Sequence, residues 1–275
     1  MEIIRRPRPR TGVRIATKVI EMKVALVTGA SSDIGETMTE ISISTPHHRL
    51  KGYLAEPQGE GPRPAVIVLH DIFGLTDVTR GHADWLAREG YLAVALDLFS
   101  WGGRIRCIRA LMTDLSARKG ASFDDVDAVR QWLEGREDCT GKVGVIGFCA
   151  TGGFAILLAA SHGFSAVAPN YGRVPNDIDA IMNGACPVVA SFGGRDWPLK
   201  GAAARLQGAL ERNKIEHDVK EYPDAGHSFL DEHKGLIGVL GVVIGSSYKD
   251  KDAADARNRI QAFFARHLAS DLAHT

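Results

Sequence analysis

Along most of this chain, short apolar runs alternate with longer segments in which apolar residues recur every three or four positions. The runs are typical of strands buried on both faces of a sheet, and the longer segments of covering helices. The predicted strands after a first hairpin are residues 64–70, 91–97, 142–148, 165–171, 187–192 and 216–222. The predicted helices are residues 76–89, 124–137, 150–161, 199–213 and 253–269. This order predicts an α/β protein whose mostly parallel sheet carries helices on both faces.

The first part of this region has a different pattern. Residues 41–44 alternate with a period of two, and residues 50–55 form the second arm of a predicted β-hairpin with His47, His48 and Arg49 at its turn. Two stretches, residues 101–123 and 231–252, lack a clear period, and we expect irregular segments there that cover a functional site.

The composition is that of an ordinary globular enzyme. The chain has 275 residues, of which 45% are hydrophobic and 24% charged, so one α/β domain buries a large core and a second full domain would be cramped. The 33 basic residues equal the 33 acidic ones, and this balance gives no support to nucleic-acid or anionic-membrane partners. No run of 18 apolar residues occurs, so no membrane span is expected.

The cysteines bear on metal binding and on the compartment. Cys107, Cys139, Cys149 and Cys186 show neither a CxxC pair nor a Cys/His metal spacing, so we expect no metal site. Their wide scatter fits free thiols in a reducing compartment. The arginine pair at positions 5 and 6 is compatible with an export signal, but charged residues interrupt any apolar core after it. The expected location is therefore the cytoplasm.

Residues 23–36 resemble the opening strand and glycine turn of short-chain dehydrogenases, whose pattern is T-G-x-x-x-G-x-G. The threonine and two glycines match, but Asp33 replaces the middle glycine and adds bulk and negative charge where a pyrophosphate would bind. No helix of useful length fits before the next strand, and no tyrosine has a lysine four residues later. We interpret residues 1–37 as an N-terminal extension without a working dinucleotide site, and residues 38–275 as the main domain.

Cys149 stands where a buried predicted strand meets a predicted helix of small residues. This is the context of a nucleophile elbow, in which the reactive side chain occupies a tight strand-to-helix turn. The helix N-terminus behind it would stabilise a thiolate and a developing oxyanion. Thr151 occupies the position of the second glycine, so the strict motif is broken by one residue. Taken alone, the segment is equally compatible with a buried, inert cysteine.

The partners of a nucleophile follow in the chain order of α/β-hydrolases, in which the acid and then the histidine come after the nucleophile. Asp196 and His227 each lie just past the carboxyl end of a predicted strand, where such sheets build their sites. Asp224 is the rival acid, although its place three residues before the histidine suits the shaping of a turn. The order predicts a catalytic triad of Cys149, Asp196 and His227.

The segment 70–74, His-Asp-Ile-Phe-Gly, follows the first buried strand of the parallel region. In this fold the loop after that strand donates a backbone N–H to the oxyanion hole. We assign one donor to Ile72 and the second to Ala150, the residue after the nucleophile. Asp71 has three open roles: to hydrogen-bond the resting thiol, to compete for the triad histidine, or to cap a turn.

Together these features resemble the dienelactone hydrolase (carboxymethylenebutenolidase) family of the α/β-hydrolase superfamily, from residue 38 to residue 267. The segments that carry the resemblance are residues 50–57, 70–74, 97–99, 147–149, 194–196 and 226–229. It implies an eight-stranded α/β-hydrolase fold and a Cys-His-Asp triad that cleaves lactones or esters through a thioester acyl-enzyme without cofactor or metal. It also implies that the acid at Asp71, typically a glutamate, modulates the cysteine.

Two departures from this family concern the substrate. Its well-studied members clamp a substrate carboxylate with two arginines, at positions that hold Trp101 and Asp231 here. Arg104 or Arg106 could substitute from the nearby loop, although an arginine solvated at the surface is the more ordinary interpretation of either. Phe73 and Trp101 would make the pocket more apolar. We therefore expect a small lactone or ester substrate that need not be a dienelactone.

Two further expectations concern the partners of the protein and its oligomeric state. We expect no nucleic-acid or membrane partner, and either a monomer or a homodimer. The alternatives are a non-catalytic binding protein of the same fold and an NAD(P)-dependent oxidoreductase that uses residues 23–36.

Overall fold

The structure, a computed structural model, describes residues 24–31, 37–232 and 248–269. Its strands are β1 Val24–Ser31, β2 Thr37–Ser44, β3 Arg49–Glu56, β4 Arg63–Leu69, β5 Leu92–Asp97, β6 Cys139–Phe148, β7 Ala166–Asn170, β8 Val188–Gly193 and β9 His217–Tyr222. Its helices are α1 Asp77–Arg88, α2 Arg104–Ala117, α3 Ala121–Glu134, α4 Ala150–Leu158, α5 Ile178–Ile181, α6 Ala202–Arg212 and α7 Asp250–His267. A short 3₁₀ turn spans Trp197–Leu199.

All the strands belong to one sheet in the order β1-β2-β3-β5-β4-β6-β7-β8-β9. The strands β1, β2 and β3 are antiparallel to their neighbours, whereas β5, β4, β6, β7, β8 and β9 run parallel. Helices α1 and α7 pack on one face, and α2, α3, α4 and α6 pack on the other. The central strands are apolar throughout because both of their faces are covered. The predicted α/β-hydrolase fold is confirmed: its eight strands are β2 to β9, and β1 adds a ninth at the edge.

The strand β1 comes from the predicted N-terminal extension. It pairs antiparallel with β2, and Gly29 lies opposite Thr39 inside this pairing rather than in a turn. A dinucleotide site needs a helix directly after its glycine turn, but here a second strand begins at Thr37. The rest of the glycine motif, residues 32–36, lies outside the described residues. The division of the chain at residue 38 stays a prediction.

The predicted irregular stretch 101–123 is wrong, because α2 occupies most of it. In this helix only Cys107 and Leu111 are buried, while Ile105 and Met112 are exposed, so its apolar residues do not form the single stripe by which helices are recognised. The other predicted elements are present with shifted ends; α3, for example, begins at Ala121, three residues before the predicted start at 124. Most of the second irregular stretch, residues 233–247, lies outside the described residues.

Candidate active site

Cys149 occupies the turn between β6, which ends at Phe148, and α4, which begins at Ala150. Its backbone φ of 57° lies in the left-handed region, which non-glycine residues rarely adopt. Its N–H donates a hydrogen bond of 3.1 Å to the carbonyl oxygen of Asn170 at the end of β7, which helps to hold this strained conformation. The Cys149 side chain is partly exposed at the carboxyl edge of the sheet, the predicted position for a nucleophile.

Two glycines allow this turn to pack closely. A Cβ atom on Gly147 would lie 2.1 Å from the backbone oxygen of Thr151, and one on Gly152 would lie 2.3 Å from the backbone oxygen of Asn170. Both approaches are far below any real Cβ contact, so only glycine fits at either position. The start of α4 is thereby packed directly against the ends of the central strands.

Asp196 and His227 meet on adjacent loops after β8 and β9. The His227 Nδ1 hydrogen-bonds the Asp196 Oδ2 at 2.6 Å, and the acid is almost fully buried. A Cβ on Gly193 would lie 2.5 Å from the Gly226 oxygen, and one on Gly194 would lie 2.8 Å from the Cα of Pro223. The glycines at the end of β8 therefore let the loop of the acid and the loop of the histidine touch.

The rival acid is engaged elsewhere. The Asp224 Oδ1 accepts a hydrogen bond of 2.6 Å from Arg195, and both side chains are largely exposed. The structure therefore brings Asp196, and not Asp224, to the Nδ1 side of His227.

The His227 side chain also hydrogen-bonds the Cys149 side chain. Burial lowers the pKa of His227, but the hydrogen bonds to Asp196 and Cys149, together with the negative charges of both partners, raise it to about 10. A protonated imidazole is thus favoured beside the sulfur. The three predicted triad residues form one continuous hydrogen-bonded series.

The loop after β4 is held by the buried His70. Its Nδ1–H donates to the Asp71 carbonyl oxygen at 2.6 Å, and its Nε2 accepts the N–H of Leu98 at 3.0 Å. Burial lowers the pKa of His70, so the ring is neutral, and its two partners fix the tautomer. The carbonyl that it holds belongs to the same peptide group as the N–H of Ile72, so His70 orients one predicted oxyanion donor.

Within the described residues, no hydrogen bond uses the Ile72 N–H. Ala150 is the first residue of α4, and an N–H at that position has no acceptor inside its own helix. The Asp71 Oδ1 accepts the N–H of Phe73 at 2.7 Å, which is the turn-capping role among the three considered. The other two roles of Asp71 stay predictions.

The predicted pocket residues fall into two places. Arg104 donates to the Ile72 carbonyl oxygen at 3.0 Å, and its guanidinium carbon lies 5.6 Å from the centre of the Phe73 ring. These two side chains therefore lie beside the predicted oxyanion loop. Trp101 instead stacks on His48, with ring centres 3.9 Å apart, and Arg106 covers the indole. That Trp101 lines a substrate pocket stays a prediction.

A buried polar network next to the triad was missed by the sequence analysis. The Tyr171 hydroxyl donates to Asp231 Oδ2 at 2.6 Å, and His82 Nε2 lies 2.8 Å from Asp231 Oδ1. The Tyr171 ring meets the His227 ring edge to face at 5.2 Å. Burial, followed by the charge of Asp231, raises the pKa of Tyr171, so the phenol stays protonated as a donor. The network ties the end of the histidine loop to α1 and β7.

All four cysteines are free. In the ranges that the structure covers, no cluster of three or more histidine, cysteine or carboxylate side chains has the arrangement of a metal site. No helix in those ranges has an apolar stretch long enough to cross a membrane.

Comparison with known proteins gives a consistent result. The profile of the dienelactone hydrolase family matches residues 50–268. A protein of Saccharolobus solfataricus named "Putative carboxymethylenebutenolidase" is 26% identical over 265 residues, covering 82% of this chain and 98% of its own. A protein of the same name in Methylorubrum extorquens is 25% identical and covers 94% of this chain and 89% of its own. The crystal structure of dienelactone hydrolase from Anabaena variabilis shares the fold, with a TM-score of 0.62, 22% identity and coverage of 85% of this chain and 99% of that one.

Proposed function

The chain belongs to the dienelactone hydrolase family, and from this premise we propose that it hydrolyses a carboxylic ester or lactone of a small molecule with Cys149 as nucleophile. The observation that most supports the proposal is the series of hydrogen bonds from Asp196 through His227 to Cys149 at a strained strand-to-helix turn. A buried inert cysteine needs neither a paired histidine nor an unfavourable φ.

In the acylation half, the Cys149 thiolate attacks the substrate carbonyl carbon and forms a carbon–sulfur bond. The carbonyl oxygen becomes an oxyanion, which the N–H groups of Ile72 and Ala150 stabilise. When the tetrahedral intermediate collapses, the carbon–oxygen bond breaks and the His227 imidazolium gives its proton to the leaving oxygen. For an ester the product is a free alcohol; for a lactone the hydroxyl stays on the acyl chain.

In the deacylation half, the now neutral His227 takes a proton from water, and the hydroxide attacks the thioester carbonyl. The same two N–H groups hold the second oxyanion. Collapse breaks the carbon–sulfur bond, releases the carboxylic acid, and returns the thiolate and imidazolium. Asp196 keeps the proton on Nδ1 and stabilises the cation in both halves, so it orients the base without being protonated itself.

The test is a panel of chromogenic short-chain esters and of lactones, assayed with the wild type and with Cys149→Ala. We expect turnover to be abolished by Cys149→Ala and an acyl adduct on Cys149 of the wild type to be visible by mass spectrometry. The matched control is Cys186→Ala. Cys186 precedes β8, at the edge of the sheet opposite to the elbow, and burial raises its pKa to about 12, so it stays a thiol.

Two outcomes would contradict the proposal. Wild-type turnover in Cys149→Ala would exclude the nucleophile, and the absence of any turnover or adduct on the whole panel would favour a binding protein of the same fold. An oxidoreductase would instead require that NADH binds the full chain and that binding is lost when residues 1–37 are deleted.

A further inference from the structure

The hydroxyl of Thr151, the residue that breaks the usual elbow pattern, is completely buried and lies at a junction of two chain segments. Its Oγ1 accepts the backbone N–H of Phe148 at 3.0 Å. Around the same oxygen lie the carbonyl oxygens of His70 at 2.8 Å, Leu69 at 2.9 Å and Phe148 at 3.0 Å. One side chain therefore joins the end of β4 to the nucleophile turn.

A hydroxyl has a single proton to donate, yet the carbonyls of Leu69, His70 and Phe148 all point at it. Without that proton, the negative ends of these dipoles would face one another in the buried interior, where unpaired polar groups are costly. The Thr151 hydroxyl is thus what permits β4 and the turn to approach this closely. A glycine or an apolar side chain at this position offers nothing equivalent.

The same contacts reach both predicted oxyanion donors. His70 lies two residues before Ile72, and Phe148 lies two residues before Ala150. We propose that Thr151 is a positioning residue whose hydroxyl sets the distance between the N–H groups of Ile72 and Ala150, and so the geometry of the oxyanion hole. The inference rests on the proposed function.

His70 supports this role from the other side. Its hydrogen bond to the Asp71 carbonyl fixes the direction of the Ile72 N–H, and the Thr151 hydroxyl fixes the distance of that segment from the elbow. Both are needed, since donors must lie close to where the oxyanion forms and must point at it.

The test compares Thr151→Ser, which keeps the hydroxyl, with Thr151→Val, which keeps the shape but not the hydroxyl, and with the smaller Thr151→Ala. Two rates are measured: kcat on a chromogenic ester, and alkylation of Cys149 by iodoacetamide, which forms no oxyanion. We expect the serine variant to resemble the wild type. We expect kcat to fall by about 10- to 100-fold in the valine and alanine variants, less than the loss of a whole oxyanion donor, at an unchanged alkylation rate.

Loss of stability is controlled separately. Removing the hydroxyl leaves a buried N–H unpaired, which should lower the free energy of unfolding. The control is Val129→Ala, a truncation in the buried face of α3 that leaves both loops intact, for which kcat should stay normal despite lower stability. Urea unfolding curves show that each variant is folded under assay conditions.

The proposal is overturned if Thr151→Val and Thr151→Ala keep the wild-type kcat, if alkylation falls in parallel with kcat, or if serine fails to restore kcat. These failures differ from a failure of the proposed function, which would appear as wild-type turnover in Cys149→Ala or as no turnover in the wild type.

Discussion

Among the described residues, a histidine whose Nδ1 hydrogen-bonds a buried aspartate occurs in two regions at the carboxyl edge of the sheet. In the elbow region, His227 Nδ1 meets Asp196 at 2.6 Å. In the hairpin turn beside the end of β5, His48 Nδ1 meets Asp125 at 2.5 Å. Both aspartates are almost fully buried. As isolated pairs, the two regions are almost indistinguishable.

The two regions differ in the other contacts that each histidine ring makes. The His227 side chain also hydrogen-bonds the side chain of Cys149, which lies at a strained turn. The His48 ring is instead stacked on Trp101, and its acid also accepts the Thr45 hydroxyl at 2.5 Å. A His–Asp pair can therefore act as a catalytic base only where a nucleophile is within its reach, and the pair of the hairpin instead fastens a turn to a helix.

The largest expected effect separates the two acids. In Asp196→Asn, the amide donates to His227 Nδ1 and leaves the ring proton on the side of the sulfur, so the histidine cannot accept the thiol proton. We expect kcat/KM to fall by up to about 10⁴-fold, the size seen when a triad acid becomes an amide. The matched substitution Asp125→Asn in the hairpin region should leave kcat/KM unchanged.

Steady-state kinetics with one chromogenic ester, measured for both asparagine variants, test this prediction. A similar loss of kcat/KM in both asparagine variants would mean that the effect is a general disturbance of the carboxyl edge. An unaffected Asp196→Asn would remove this acid from the triad.

The elbow region could be predicted because each of its three residues carries a signal of its own in the sequence. The order of Cys149, Asp196 and His227, each just past the end of an apolar strand or at its turn into a helix, predicts a candidate site without knowledge of distances. The hairpin pair has no such signal: only the structure reveals that His48 reaches Asp125, which lies 77 residues further along the chain.

Other features of the structure were not predicted from the sequence for similar reasons. The network of His82, Tyr171 and Asp231 joins elements that are far apart in the sequence, so no local pattern predicts it. In the sequence, position 231 is notable only because an aspartate stands where the family has an arginine. The helix α2 escaped prediction since few of its residues are buried. Thr151 was recognised as a departure from the motif, but its role depends on carbonyls of β4 that lie more than 80 residues upstream.

The stability that His227 contributes to the folded protein depends on pH. In the folded state the pKa of His227 is raised to about 10, against burial, by hydrogen bonds to Asp196 and Cys149; in the unfolded chain it is about 6.5. The folded state therefore binds this proton more tightly, and the resulting stability is fully present below about pH 6.5 and is lost as the pH rises toward the folded-state value. The difference in unfolding free energy between the wild type and His227→Gln should shrink over this window.

Urea unfolding of both proteins across this pH range measures the effect. In a Cys149→Ala background the loss should be smaller and complete at lower pH, since one of the groups that raise the folded-state pKa of His227 is gone. A difference that stays constant with pH would contradict the assignment.

The smallest effect is expected in the hairpin region itself. His48→Gln removes the stacking on Trp101 and weakens the bond to the buried Asp125, so the free energy of unfolding should fall by about 1–3 kcal/mol. The control is His47→Ala: the bond of His47 to Asp124 is exposed to solvent, and its loss should cost less than about 1 kcal/mol. Neither variant should change kcat. If His48→Gln lowered kcat while His47→Ala did not, the hairpin region would contribute to catalysis through Trp101. The two His–Asp pairs would then differ in their distance from the nucleophile rather than in their role.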